Sequence, residues 1–261
     1  MTEQRPVILE IEGLTHYFDS LRAVSNFSIT LREGELVGLI GPNGAGKTTV
    51  FNLITGVYRP TAGSIRFRGI ELVGLPSHEI IRLGIARTFQ NIRLFANLTV
   101  LDNIRIAHHY LVDYGLFDSF LRTPRFGKGE KEITELAQEL LEIFGLADRQ
   151  NDIAGSLPYG MQRKLEIARA LATKPQLLLL DEPAAGMNPR EIDQLMELIH
   201  FIRDRFNLTI LLVEHRMRLI MNICEWITVM DFGEVIARGK PEEVRNNPKV
   251  IEAYLGRMAI R

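Results

Sequence analysis

Apolar and polar residues alternate over residues 7–11 (VILEI) and 27–31 (FSITL), the period-two pattern of antiparallel strands with one face in water. Residues 64–67, after Gly63, predict another such strand. Residues 36–40 (LVGLI) carry no polar side chain and read as a strand buried on both faces. The period then changes, because Val50, Phe51, Leu53, Ile54 and Val57 fall on one side of a helix. Beyond residue 76 the pattern is helical, most plainly at Ile133, Leu136, Ala137, Leu140, Leu141 and Phe144, with Gly145 as the stop. Between residues 107 and 130 lies an irregular insertion with adjacent His108 and His109 and a turn-like TPRFGKG run at 123–129. Strand character returns at residues 176–180 and 208–213, and residues 226–230 with 234–237 predict a closing hairpin. The expectation is an α/β core over residues 1–90 and 172–261, interrupted by a helical subdomain over 91–171.

Composition narrows the class. With 261 residues, 46% hydrophobic and 24% charged, the chain can bury a full core and is neither disordered nor membrane-spanning, since a bilayer needs about 20 consecutive apolar residues. The start, MTEQRPVILE, lacks the apolar core and small-residue cleavage site of a secretory signal, so a cytosolic location is expected. A lone Cys224 cannot form an internal disulfide and is expected to be a small buried hydrophobe. The net charge of −1 gives no pull toward nucleic acid, which is not expected as a partner. His108 and His109 have no cysteine or acid at metal-ligand spacing and are expected to be exposed packing residues.

Between the strand at 36–40 and the next helix stands GPNGAGKTT: Gly41, Pro42, Asn43, Gly44, Ala45, Gly46, Lys47, Thr48 and Thr49. Glycines without a Cβ let the backbone fold tightly and aim consecutive N–H groups at one point, where a helix dipole also favours negative charge. Lys47 can reach the β- and γ-phosphates of a nucleotide, and the Thr48 hydroxyl suits Mg²⁺. ATP or GTP is the expected ligand. Residues 177–180 are all leucine and end in Asp181 and Glu182, two carboxylates at the end of a buried strand, where open α/β sheets place their ligands. Asp181 is suited to hold Mg²⁺ and Glu182 to polarise an attacking water. Alone, the pair would read as a solvated turn. His215, after the strand at 208–213, and Gln90, within RTFQ, are anonymous by themselves.

The loop at 41–49, Gln90, LPYGMQRKLEIARAL at 157–171, LLLLDEP at 177–183 and His215 stand in an order that resembles the ABC transporter ATPases over essentially the whole chain. RTFQNIRLF, DEPAAGMNP, the insertion after residue 107 and the ending NNPKVIEAYLG resemble, within them, the ATP-binding subunits of bacterial branched-chain amino acid importers. The resemblance implies an α/β P-loop NTPase of ABC type, with a mixed sheet core, an N-terminal antiparallel β subdomain and a helical subdomain. It implies Phe18 stacking on adenine, with Tyr17 beside it as the other candidate and a buried strand-edge Phe as the alternative. Gln90 becomes a nucleotide-sensing residue and Mg²⁺ ligand, His215 the switch histidine, and Gly186, Met187 and Asn188 a dimer loop.

The resemblance also implies partners: a second ATPase subunit, two transmembrane permease subunits, an external solute-binding protein acting indirectly, and a place on the cytoplasmic face of the inner membrane. Related systems carry urea or short amides, and a soluble ABC-type ATPase is a further alternative. The family signature, usually L-S-G-G-Q, caps ATP held by the partner chain. Here it reads Leu157, Pro158, Tyr159, Gly160, Met161, followed by Gln162. Pro158 has no hydroxyl, so one charge-assisted hydrogen bond of about 1.5–3 kcal/mol is missing, while Gly160 retains its N–H. Asn188 stands where the family commonly has aspartate. Both departures imply an asymmetric heterodimer, with a homodimer as the alternative.

Overall fold

The computed structural model describes residues 5–112 and 114–255; residues 1–4 of the N-terminal segment, Asp113 in the insertion and Gly256 at the end of NNPKVIEAYLG lie outside them. The chain divides into two units, one running up to Arg87 and resuming at Gln176, the other from Thr88 to Pro175.

The first unit opens with an antiparallel hairpin, β1 (Val7–Phe18) and β2 (Leu21–Arg32), and continues through β3 (Leu36–Ile40), α1 (Lys47–Ile54), β4 (Ala62–Phe67), β5 (Ile70–Glu71), α2 (Ser77–Arg82) and β6 (Ile85–Arg87). The hairpin is much longer than the alternation predicts. The register shifts between Ile11 and Leu14, where Gly13 has φ 58°, and Asn26 with φ 47° does the same on β2. Such bulges invert the inward and outward positions, so the period-two pattern breaks although the pairing continues. Two further expectations fail here. Val57 lies past the end of α1 and is exposed, and a three-residue strand, β6, interrupts the stretch read as wholly helical.

After residue 176 the same unit adds β7 (Leu177–Asp181), α7 (Pro189–Phe206), β8 (Thr209–Val213), α8 (Met217–Ile223), β9 (Trp226–Asp231), β10 (Glu234–Gly239), α9 (Pro241–Arg245) and α10 (Pro248–Leu255). One sheet has the order β2-β1-β4-β5; the other, of six strands, runs β10-β9-β3-β8-β7-β6. In the latter all pairs are parallel except β9 with β10. A single core joins Leu9, Ile11 and Phe27 of the antiparallel sheet, Phe51 and Ile54 of α1, and Leu39, Leu179, Leu211 and Val213 of the parallel strands. Leu178 and Leu180 point to the opposite face and are equally buried, which is why β7 shows no alternation. On that face Gly38 lets α8 lie against β3, since a Cβ there would sit 3.1 Å from the Cys224 sulfur. Cys224 is a buried hydrophobe, and burial pushes its thiol well above the ordinary range.

The second unit holds α3 (Val100–His108), α4 (Leu116–Leu121), α5 (Pro124–Ile143) and α6 (Tyr159–Leu171). Residues 123–129, read in the sequence as a turn, form the start of α5. Thr123 caps the helix by accepting from the Phe126 N–H, and Pro124 stands at the first position, where its missing N–H costs nothing. His108 is buried rather than exposed, with Nδ1 2.7 Å from the Ala172 carbonyl oxygen, whereas His109 is exposed and meets the Tyr114 hydroxyl. Among the described residues no helix is long and apolar enough to cross a membrane. Gly127 lies in α5 with open space around its Cβ position, so Gly127→Ala is expected to stabilise the helix by about 0.5–1 kcal/mol. Slower amide exchange at the N-terminal turns of α5 is the measurement; unchanged or faster exchange would restore the turn reading.

Candidate functional site

The strand order places β3, β8 and β7 side by side and parallel, so their C-terminal ends share one edge of the sheet. Leu39 pairs with Val213 and Val213 with Asp181, and the segments leaving these ends are the glycine-rich loop, Glu214 with His215, and Glu182. The sequence alone could not establish this juxtaposition, because the strands stand far apart along the chain.

At the first of these loops Gly41 turns directly against β9: its φ is 151°, and a Cβ would collide with the Met230 carbonyl. Ala45 N–H donates to the Pro42 carbonyl at 3.1 Å, and the Gly233 N–H to the Ala45 carbonyl at 3.1 Å, which pins the loop to the β9–β10 turn. Lys47 is 6% exposed, and its Nζ donates to the carbonyls of Gly41 and Pro42 at 2.7 and 3.0 Å. The α1 N-terminus begins at Gly46 with φ 100°, without a side-chain cap and without an acid in its first turn. Nothing on the helix itself therefore neutralises its positive end, which suits an anion. Asn43, Gly44 and Thr48 are exposed around this turn.

Asp181 closes β7 with its side chain 2% exposed, and Oδ2 accepts from Arg87 Nη2 at 2.8 Å. Burial pushes its carboxyl above the usual range and Glu182 adds to this, while the hydrogen bond and charge of Arg87, and the charge of Lys47, pull the other way. Arg87 also donates to Asn52 Oδ1 at 2.7 Å and lies over the Phe51 ring, so it joins the acidic strand end to α1. Glu182 sits in the left-handed region, φ 46°, after its N–H extends the sheet ladder to the Val213 carbonyl at 2.8 Å. A non-glycine residue there stores strain, and such strain concentrates at functional positions. The Glu182 carboxylate lies 3.5 Å from Nδ1 of the exposed His215.

The sequence reading missed Glu214. It is wholly buried, and its carboxylate accepts from three main-chain N–H groups: Ala184 at 2.8 Å, His215 at 3.1 Å and Arg216 at 3.2 Å. One side chain thus binds the loop after Glu182 to the loop that carries His215. Its only signal in the sequence was an acid directly after an apolar strand. Further along the first loop, Gly186 has φ 74° and Met187 is buried. Asn188 caps α7: Oδ1 accepts from the N–H groups of Arg190 and Glu191, both at 3.0 Å. Phe18, partly exposed at the end of β1, meets His16 and Tyr58 edge-on at 4.7 and 5.2 Å between ring centres, and Tyr17 is 43% exposed.

The second unit carries Gln90 and the 157–162 segment. Gln90 is exposed two residues after the unit begins, and Leu157 is buried. Pro158 precedes α6 as a cap without a side-chain donor or acceptor, and Gly160 lies in the first helical turn. Gln162 Nε2 donates to the Leu157 carbonyl at 2.8 Å.

The family model described as ABC transporter matches residues 24–185. This chain belongs to the ABC transporter family. A second model, described as branched-chain amino acid ATP-binding cassette transporter, matches residues 234–260. The chain is 51% identical to the high-affinity branched-chain amino acid transport ATP-binding protein LivG of Salmonella typhimurium, covering 95% of this chain and 98% of LivG. It is 49% identical to BraF of Pseudomonas aeruginosa, a protein of the same description, over the same shares. Among solved structures it resembles, at 31% identity and a TM-score of 0.83, an ATP-binding cassette of an ABC transporter in its ADP conformation, covering 96% of this chain and 99% of that one. The fold is accordingly that of an ABC ATPase, and the chain is a nucleotide-binding ATPase.

Replacing Glu214 by alanine orphans three N–H groups, an expected loss of about 2–4 kcal/mol of stability. ATP turnover should fall at least tenfold while the KM for ATP moves little, because the phosphate loop is not touched. Thermal melts and steady-state ATPase assays check this; parental turnover in a folded variant would show that Glu214 does not organise the site.

Proposed function

We propose that this chain is the ATP-hydrolysing motor subunit of an importer for branched-chain amino acids, leucine, isoleucine and valine. The observation that carries the reading is the convergence of the phosphate loop, Asp181 with Glu182, and His215 on one sheet edge. It stands in a chain alike over 95% of its length to transport proteins of that description. The phosphates of ATP bind the N–H groups of the 41–49 loop, and Lys47 exchanges its carbonyl partners for phosphate oxygens. Phe18 offers the adenine a ring to stack on.

Glu182 accepts the proton of the attacking water, and His215, 3.5 Å away, holds the water and the γ-phosphate in line. Mg²⁺ fits the donors that the first unit offers, since the Thr48 hydroxyl and the Asp181 carboxylate are hard oxygen ligands. Burial pushes the Asp181 carboxyl up against the pull of Arg87, and a divalent cation beside it would favour the charged form. When bound, the ion supplies charge neutralisation at the phosphates.

The chain works on the cytoplasmic face of the inner membrane with two permease subunits, fed by an external solute-binding protein. It pairs with a related ATPase subunit, each chain closing on the other's nucleotide with its signature turn, Leu157 to Gln162 here. ATP favours the closed pair, and loss of the γ-phosphate reopens it. Pro158 weakens the cap that this chain gives to its partner's nucleotide, so the two sites differ in rate.

Glu182→Gln should lower turnover about 100-fold or more and trap an ATP-bound dimer on gel filtration; continued rapid hydrolysis would exclude Glu182 as the base. In the assembled transporter, Lys47→Ala should abolish more of the ATPase activity than the matching substitution in the partner. Equal losses would remove the asymmetry. Leucine, isoleucine or valine with the binding protein should accelerate ATP consumption, and acceleration by urea or short amides instead would overturn the cargo.

A further inference from the structure

Within the second unit, Arg163 and Glu166 of α6 form a charged pair at 2.7 Å with side chains 0% and 1% exposed. Burying two charges costs more than their mutual attraction returns unless further hydrogen bonds use up the remaining donors and acceptors. Because the two residues belong to the same helix, three apart, the pair links nothing distant by itself. Its remaining hydrogen bonds do. Arg163 Nη1 donates to the Phe89 carbonyl at 2.6 Å and Nη2 to the Gln90 carbonyl at 2.7 Å. Glu166 Oε1 accepts from the Phe89 and Arg93 N–H groups, both at 3.3 Å. Both main-chain groups of Phe89 are therefore gripped, and Gln90 has a fixed backbone under an exposed side chain.

The same guanidinium reaches in a second direction. Arg163 Nη2 lies 3.0 Å from the Tyr159 hydroxyl and takes a donor role toward it, and Tyr159 is the first residue of α6, beside Gly160. Tyr159 occupies a signature position where the family usually has glycine, so here a side chain connects the signature turn to the buried pair. The carbonyl grips at Phe89 and Gln90 and the side-chain grip at Tyr159 meet on one planar group, whose fork geometry resists independent displacement of its partners, while Glu166 holds the Phe89 and Arg93 N–H groups beside it.

We propose that Arg163 and Glu166 are positioning residues that make the Gln90 segment and the Tyr159–Gly160 signature turn move as one piece, so that nucleotide sensed in one ATP site repositions the cap offered to the other. This rests on the roles given above to Gln90 and the signature.

The test uses the importer assembled with its permease subunits in vesicles, carrying R163M/E166M, a double change that leaves no unpaired buried charge. The expected result is a melting temperature within a few degrees of the parent, a KM for ATP changed by less than about threefold, and a kcat lowered about tenfold or more, within the usual range of coupling effects. Solute transported per ATP should fall as well. A folded double variant with parental kcat and parental transport per ATP overturns the proposal.

Should the double variant not fold, Glu166→Gln in the full chain decides. Faster amide exchange at Phe89 and Arg93, with α7 protection unchanged, supports the tether, and unchanged exchange at both amides overturns it. Glu182→Gln in the same vesicles separates the two readings. If it continues to hydrolyse ATP, the assignment of the catalytic edge fails, and the tether is then judged by the exchange experiment alone.

Discussion

The parallel pairing of β3, β8 and β7 is the constraint on which the rest depends. Each strand is buried on both faces and paired on both edges, so none can slide without breaking ladder hydrogen bonds in the interior and carrying an apolar residue beyond the covered layer. Fixed register then fixes the point at which each chain segment departs from the sheet. Since Val213 pairs with both Leu39 and Asp181, the loops that leave the strands start level with one another. Glu182 must take a left-handed backbone at that point, because its N–H still belongs to the ladder while its chain has to leave the sheet. The strain is held by the sheet, and its product is a carboxylate beside His215.

Buried charge in this molecule stands at the segments that carry the candidate chemistry. Arg87 joins Asp181 to α1, Glu214 joins the loops carrying Glu182 and His215, and Arg163 with Glu166 holds the backbone around Gln90. Arg87 bridges a helix to a strand end through side chains, whereas Glu214 and the Arg163–Glu166 pair hold main-chain groups of loops. Apolar packing could not do this work, since it has no direction and leaves a loop free to slide. A hydrogen-bonded charge costs desolvation and returns a defined position. The elements that need only to be buried are built from leucine, and the loops that need to be placed are built on buried ions.

This division also explains what the sequence made legible. The glycine-rich loop and β7 could be read because their signals are local: spacing of glycine and lysine in one, an unbroken apolar run in the other. The long hairpin was cut short because Gly13 and Asn26 shift its register, which destroys alternation without ending pairing. Residues 123–129 looked like a turn because proline and two glycines dominate their composition, whereas a threonine cap and a proline at the first position are also how a helix starts. Glu214, Arg163 and Glu166 were invisible for a different reason. A charged residue in a helix or at a strand end ordinarily faces solvent, and only the three-dimensional course of residues 89–93 and 184–216 makes these into interior groups.

The two departures from the family pattern differ in weight once the structure is considered. Asn188 looks like the loss of a charge at a dimer seam. Its side-chain oxygen, however, is engaged by two N–H groups at the head of α7, and Glu191 reciprocates by accepting from the Asn188 N–H at 2.8 Å. An aspartate would make the same cap, so the exchange leaves the loop's shape intact and alters only the field around it. Pro158 has no such occupation. It caps α6 without any side-chain hydrogen bond, and the hydroxyl of the adjacent Tyr159 is engaged by Arg163. In the proposed pairing, the difference between the two ATP sites therefore lies at Pro158 and not at the loop that ends in Asn188.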